Sequence, residues 1–282
     1  MPYLVVNGAR LAYYEWPGGG PTLLCIHGIT SNCHAWDRWA EQLAPDYRVI
    51  ALDLRGRGES HKPPAYQVEV HRDPLCYPRD LDRVIDGLGI EAVSYVGHSL
   101  GAMIGVLFAA TYPQRVRKLV LVDGGHDLRP DVAAAIRPAL DRLGVIFPSL
   151  DDYLVRMQAL PFLMAHWNRY LDRYFRYDAE VLPGGAARSR VSRDVVEADT
   201  ETLLPLSLSD YHTKIAVPTL ILQAPAGLLT DGDAIMTREE GERLAGAIPD
   251  ARLVTVAGAN HYTILFEIHP KALREVSRFL AE

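Results

Sequence analysis

Cysteine is scarce in this chain. Three occur in 282 residues, Cys25, Cys33 and Cys76, an odd number without the paired spacing of a metal site. A disulfide framework and a cysteine-ligated metal are therefore not expected, and a reducing, cytoplasmic setting fits. Cys25 lies in an apolar run, where a thiol acts as a small hydrophobe. Basic charge is also in deficit. Lys and Arg number 29 against 35 Asp and Glu, a net charge of −6. Such a balance argues against nucleic acid or an anionic membrane surface as a partner. No apolar run approaches the roughly 20 residues of a membrane helix. The N-terminus, Met1 to Gly8, lacks a basic stretch followed by a long apolar core, so no signal peptide is expected. Dinucleotide fingerprint, phosphate loop, internal repeat and low-complexity tract are all missing; neither a cofactor nor a metal is implied.

What is present is ample apolar mass, 49% of the residues, punctuated by 22 Gly and 19 Pro. That suffices for one large core, or a core plus a small subdomain. Residues 3–6 and 10–16 flank Asn7-Gly8, a hairpin signal, so an antiparallel pair opens the chain. Further strands are expected over 22–26, 47–54, 92–96, 118–122, 219–222 and 252–256. Helices are expected over 35–43, 80–88, 100–112, 239–248 and 271–280. Strands alternating with helices predict a mostly parallel sheet covered on both faces, an α/β fold of eight strands. One stretch breaks the alternation. Residues 127–212 show helical patterns and no convincing strand, which predicts a helical insertion between two sheet strands, with 1–126 and 213–282 forming the core domain. Within it Leu163, Trp167, Tyr170, Tyr174 and Tyr177 fall on one helical face. They either pack on the main domain or roof a pocket.

The chain is organised around Gly97-His98-Ser99-Leu100-Gly101, between a β-branched apolar run and an apolar helix closed by Pro113. A serine between glycines at a strand-to-helix joint is a nucleophile elbow: the turn is sharp, and side chains at 97 and 101 would collide with neighbouring backbone. The helix that follows aims its N-terminal amides at the reaction site. A serine hydroxyl needs a base. Of ten histidines, His261 follows the last expected strand through the flexible 257–260 stretch and satisfies the chain order Ser…Asp…His.

With His27-Gly28, Asp53-Leu54-Arg55-Gly56-Arg57-Gly58-Glu59-Ser60, the elbow at Ser99 and Asn260-His261 in this order, the chain resembles the α/β-hydrolase fold family over essentially its whole length. The resemblance implies a capped serine hydrolase, with residues 127–212 as the cap. Serine at the elbow argues against the epoxide hydrolase and haloalkane dehalogenase branches, which place aspartate there. The implied oxyanion-hole donors are the backbone N–H groups of Leu100, after the nucleophile, and Ile29, in the loop after the third strand. Two family positions are open for the acid. Asp123 ends the sixth strand and needs no insertion; Asp233, with Asp231 as a further alternative, suits the usual spacing to the histidine. The reading leans to Asp123. His27, His98 and Asp53 are expected to brace turn backbones, and Asp127 to face solvent. Trp167, Tyr170 and Tyr174 are the expected substrate-binding residues. The implied activity is cleavage of a small to medium, partly apolar carboxylic ester or lactone through an acyl-enzyme, by a monomer or homodimer. The alternatives are hydrolysis of a carbon–carbon bond in a diketone-like ring-fission product, and a small-molecule receptor built on the same fold.

Overall fold

The computed structural model describes all residues except 131, 133–136, 204, 229, 231 and 268. Asn7 and Gly8 both adopt positive φ, 46° and 75°, which produces the tight turn between β1 (Tyr3–Val6) and β2 (Ala9–Trp16). Then come β3 (Thr22–Ile26), β4 (Arg48–Leu52), β5 (Val93–His98) and β6 (Val116–Val122). A two-stranded ribbon, β7 (Ala179–Val181) and β8 (Ala187–Ser189), stands apart from the sheet. The last strands are β9 (Thr219–Gln223) and β10 (Ala251–Thr255). The main sheet has eight strands in the order β1-β2-β4-β3-β5-β6-β9-β10, parallel from β4 onward.

Side chains alternate across a strand, so each strand feeds two cores. Leu23, Cys25, Val49, Ala51, Val96, Val120 and Leu220 point to one face. There they meet Trp39 and Leu43 of α1 (Asp37–Leu43) and, further on, the C-terminal helix. Leu24, Ile26, Ile50, Tyr95, Leu119 and Ile221 point to the other. That face is covered by α2 (Cys76–Gly87), with Leu81, Val84 and Ile85 inward, and by α3 (Leu100–Thr111). Both faces being apolar is why these strands read as continuous hydrophobic runs.

Between β6 and β9 lies the insert. It holds α4 (Arg137–Leu140), α5 (Leu150–Gln158), α6 (Pro161–Met164), α7 (Arg169–Asp178), α8 (Arg193–Leu203) and α9 (Ser209–His212), together with the β7–β8 ribbon. Asn168 caps α7 by accepting from the amides of Tyr170 and Leu171. The ribbon differs from the sequence expectation of helices alone. Its strands are three residues each, too short to show an alternation. The chain closes with α10 (Arg238–Ala247), which carries a Thr237/Glu240 capping box, then α11 (Thr263–Phe266) and α12 (Pro270–Ala281). Among the described residues no helix is long and apolar enough to cross a membrane.

Strand β5 turns into α3 at Ser99, whose φ of 55° and ψ of −117° lie where side chains are rarely accommodated. The glycines around it permit the approach. A Cβ at Gly97 would stand 2.2 Å from the carbonyl oxygen of Gly101, and one at Gly101 would stand 2.1 Å from that of Ile26. Backbone cannot yield as a flexible side chain can. Gly97→Ala is therefore expected to lower stability by about 1–3 kcal/mol through overpacking, read as a lower urea midpoint with unchanged slope.

Candidate active site

Ser99 is held by its backbone. Its amide donates to Val122 O at 3.0 Å, and its carbonyl accepts from Ala102 and Met103 as α3 begins. Leu100 is the first residue of α3, so its amide has no carbonyl partner within the helix. Across from it, the loop after β3 passes close: a Cβ at Gly28 would be 3.3 Å from Ser99 Cβ. The orientation of that loop comes from His27. The ring accepts the Leu54 amide at Nε2, 3.1 Å, and its Nδ1 lies 2.8 Å from Gly28 O. The proton therefore sits on Nδ1 and is donated to the carbonyl. A trans peptide directs its N–H opposite to its C=O, so tying down the Gly28 carbonyl fixes the direction of the Ile29 amide.

His261 follows β10 on a short loop. Asn260 braces this loop by accepting from the amides of Tyr262 and Thr263 at 2.9 and 2.8 Å, while its own amide donates to Thr263 Oγ1. The Nδ1 of His261 lies 2.7 Å from Asp123 Oδ2. Asp123 is fully buried just past β6, with φ 46°. Its other carboxylate oxygen accepts the Ala224 amide at 3.0 Å, and its own amide donates to Leu222 O. Asp233 has a different occupation. Its Oδ1 accepts the amides of Leu228 and Thr230, at 2.7 and 3.2 Å, closing its own loop. Asp231 lies outside the described residues.

The His98 ring lies tilted beside that of His261, centroids 4.3 Å apart, and donates from Nε2 to the His261 carbonyl at 2.9 Å. Asp53 accepts from the Cys33 and Glu59 amides and from the Tyr177 hydroxyl, so it braces loop backbone and ties the insert to the core. Asp127 is exposed and holds Ser209 at the start of α9.

Ser99, Leu100, Ile29, His98 and His261 line one cavity of about 920 Å³, counting its open mouth. Its wall is mostly apolar: Met103, Val132, Leu203, Ile235, Leu265 and Phe266 contribute, with Arg129 beside Glu240 at the edge. Of the expected substrate-binding aromatics only Tyr174 lines it. Trp167 is instead stacked on Phe175, centroids 5.4 Å apart. Tyr170 donates to Glu41 on α1, across the junction between insert and core. Neither ring lines the cavity: Trp167 precedes α7 and packs within the insert, so it does not share the helical face expected of it, while Tyr170 anchors the insert to the core. Sequence reasoning missed Met103, Tyr262 and Phe266. Met103 sits one turn after Leu100 and was findable from helical spacing.

A family model described as the alpha/beta hydrolase fold matches residues 21–268. The RutD protein of Azorhizobium caulinodans, named for carbamate hydrolysis, is 30% identical over 93% of this chain and 91% of its own length. The 2-(acetamidomethylene)succinate hydrolase of Mesorhizobium japonicum is 27% identical over 93% and 89%. Some matches are local. One with a Mycobacterium bovis protein, 41% identical, spans 44% of this chain and only 35% of that protein. A crystal structure of E-2-(acetamidomethylene)succinate hydrolase superposes with a TM-score of 0.84 at 24% identity, covering 100% of this chain and 98% of the other. The enol-lactonase of Burkholderia xenovorans superposes with 0.72 at 22% identity over the full length of both.

Burial holds the His27 ring neutral, with its pKa down at about 4 although Asp53 and the Gly28 carbonyl favour the proton; burial and the neighbouring His261 keep His98 well below its ordinary value. The unfolded chain takes up these protons near pH 6.5, so between about pH 6.5 and 4 it binds more protons than the folded state. Folding stability is expected to fall across that window as pH drops, by on the order of 3 kcal/mol from His27 alone. Urea midpoints at pH 7, 5.5 and 4 measure it, and the decline should be shallower in His27→Gln.

Proposed function

Because the chain belongs to the α/β-hydrolase fold family, we propose that it is a serine hydrolase cleaving a carboxylic ester or lactone through an acyl-enzyme. The observation that carries this reading is the 2.7 Å contact between His261 Nδ1 and the buried Asp123 carboxylate, with His261 lining the same cavity as Ser99. In this reading Asp123 fixes the tautomer of His261, leaving Nε2 to take the Ser99 proton and stabilising the imidazolium that forms. Ser99 Oγ attacks the carbonyl carbon, and its proton passes to His261. The oxyanion is met by the amides of Leu100 and Ile29. His261 then protonates the departing alkoxide, and the same ring later activates water to release the acid. The 127–212 segment acts as the cap, and Leu128, Val132, Tyr174, Thr200 and Leu203 are among the residues it contributes to the substrate wall.

The apolar wall favours a partly apolar acyl or alcohol group, consistent with an ester or lactone of small to medium size. Relatives of near-full coverage are named for hydrolysis of a carbamate and of 2-(acetamidomethylene)succinate, which supports a hydrolytic reading. Local matches to proteins named epoxide hydrolase 4 do not alter the reading, since the elbow here carries serine.

A fluorophosphonate should label the protein at Ser99 with one group per chain, followed by a screen of aryl esters of increasing acyl length. Ser99→Ala should abolish labelling and lower kcat by several orders of magnitude with the fold intact, as circular dichroism would show. Unchanged turnover in that variant overturns the mechanism. Asp123→Asn is expected to cost on the order of 10⁴ in kcat and Asp233→Asn far less. Turnover of a ring-fission diketone with none of aryl esters would select the carbon–carbon reading. Stoichiometric ligand binding without repeated turnover would select the receptor reading.

A further inference from the structure

Three successive carbonyls in the loop after β3 each accept from a buried side chain. Gly28 O takes His27 Nδ1 at 2.8 Å. Ile29 O takes Arg57 Nε at 2.9 Å. Thr30 O takes an Arg142 guanidinium N–H at 2.6 Å, with the Tyr174 hydroxyl at 3.4 Å. The two arginines are almost wholly withdrawn from water, Arg57 at 0% and Arg142 at 5% exposure. A guanidinium cannot shed its charge, so each needs a counter-charge. In both cases the insert supplies it. Arg57 lies 2.6 Å from Asp199 Oδ2 on α8, and Arg142, itself in the insert, lies 3.4 Å from Asp178 Oδ2 at the end of α7.

Each carboxylate is in turn fixed by a tyrosine. The Tyr77 hydroxyl donates to Asp199 Oδ2 at 2.8 Å and accepts from Arg57, while Asp199 Oδ1 stands 3.1 Å from His71 Nδ1. The Tyr153 hydroxyl donates to Asp178. Burial alone would push the Asp199 carboxyl up, but Arg57 and His71 bring it below the ordinary range, so it carries its charge. The consequence for the loop follows from peptide planarity. The Gly28 carbonyl shares a plane with the Ile29 amide, and the Ile29 carbonyl defines the next plane. With both planes tied, the two dihedrals at Ile29 have little freedom, and its amide keeps one direction.

We propose that Asp199–Arg57, acting on the Ile29 carbonyl, and Asp178–Arg142, bracing the adjoining Thr30 carbonyl, are positioning pairs through which carboxylates of the insert hold the direction of the Ile29 amide and thereby the stabilisation of the oxyanion. The insert then tunes transition-state binding as well as enclosing substrate. This rests on the reading above, in which the Ile29 amide is an oxyanion donor. A displaced donor loses much of its effect: removing one such donor outright costs on the order of 10²–10³ in rate, and a misplacement of about 1 Å can cost about 10².

The test uses Asp199→Asn and Asp178→Asn, which keep shape and remove charge, in the full-length protein. Rates with an aryl ester are normalised to active sites counted by complete fluorophosphonate labelling. Expected are kcat losses of about 10- to 100-fold with KM within about threefold. A trifluoromethyl ketone that adds to Ser99 as a tetrahedral oxyanion should lose affinity by the same factor. The matching alcohol product, which forms no oxyanion, should bind as before. Asp172→Asn breaks an exposed pair with Arg176 on α7 and should change neither quantity. Unchanged kcat and ketone affinity in both Asn variants, or equal losses for ketone and alcohol, overturn the inference. Should the Asn variants fail to fold, Tyr77→Phe removes only one hydroxyl of the Asp199 network. It should lower kcat and ketone affinity together by about three- to tenfold, and no change in either refutes the proposal. Absence of Ser99-dependent ester turnover in the unaltered protein defeats the underlying reading, and this inference with it. Intact turnover in both the unaltered protein and the variants defeats this inference alone.

Discussion

The site depends on how closely three pieces of backbone meet. At Gly101 the first turn of α3 rests against the carbonyl end of β3, where even one methyl group would stand 2.1 Å from an oxygen. Gly97 meets Gly101 in the same way, and Gly124, just after β6, passes so near that a Cβ would lie 2.8 Å from Ser99 O. The ends of β3, β5 and β6 are thus locked to one helix start. Ser99, Gly28 and Asp123 therefore hold their relative places without relying on long side chains. The positive φ at Ser99 and at Asp123 persists because this packing leaves the chain no alternative path.

Charge in this confined space is rationed. Three imidazoles, His27, His98 and His261, cluster around the elbow, and two of the three are held neutral chiefly by burial. The effect is electrostatic. A proton on His98, with its ring 4.3 Å from that of His261, would oppose a second charge there. Asp123 Oδ2 lies 2.7 Å from His261 Nδ1, so a positive charge on that ring has a carboxylate beside it and a neutral His98 as its neighbour.

Most of the scaffold was legible in the sequence because its cause is local. Buried parallel strands read as β-branched runs, and the elbow reads from two glycines that backbone contact demands. The preference for Asp123 came from its place at the end of the sixth strand, where no insertion is needed, and its carboxylate lies 2.7 Å from His261 Nδ1. The insert was legible as a break in the alternation but not in detail. Its ribbon strands are too short to carry a period. Its aromatic stripe could not be divided by pattern into cavity wall and anchor, since Tyr174 and Tyr170 lie one turn apart on the same helix. Arg57 stood in the motif loop without a role of its own, and Arg142, Asp178 and Asp199 carried no signal in the sequence. Their burial arises from pairings across the fold, some over a hundred residues apart in sequence, which no local pattern reports.

The attachment of the insert bears on how such folds diversify. Its contacts with the core are not confined to the apolar seam: Tyr177 reaches Asp53, Arg142 reaches Thr30, Asp199 reaches Arg57, and the Asn168 amide reaches Phe266 O. A foreign segment grafted between β6 and β9 to redirect specificity would leave Arg57 as an orphaned cation in a dry interior unless it brought an acid to the place of Asp199. The modularity suggested by the chain topology is therefore conditional. In this molecule the exchangeable part includes Arg57 in the loop after β4, and a transplant drawn only at the insert boundaries cuts through an electrostatic circuit.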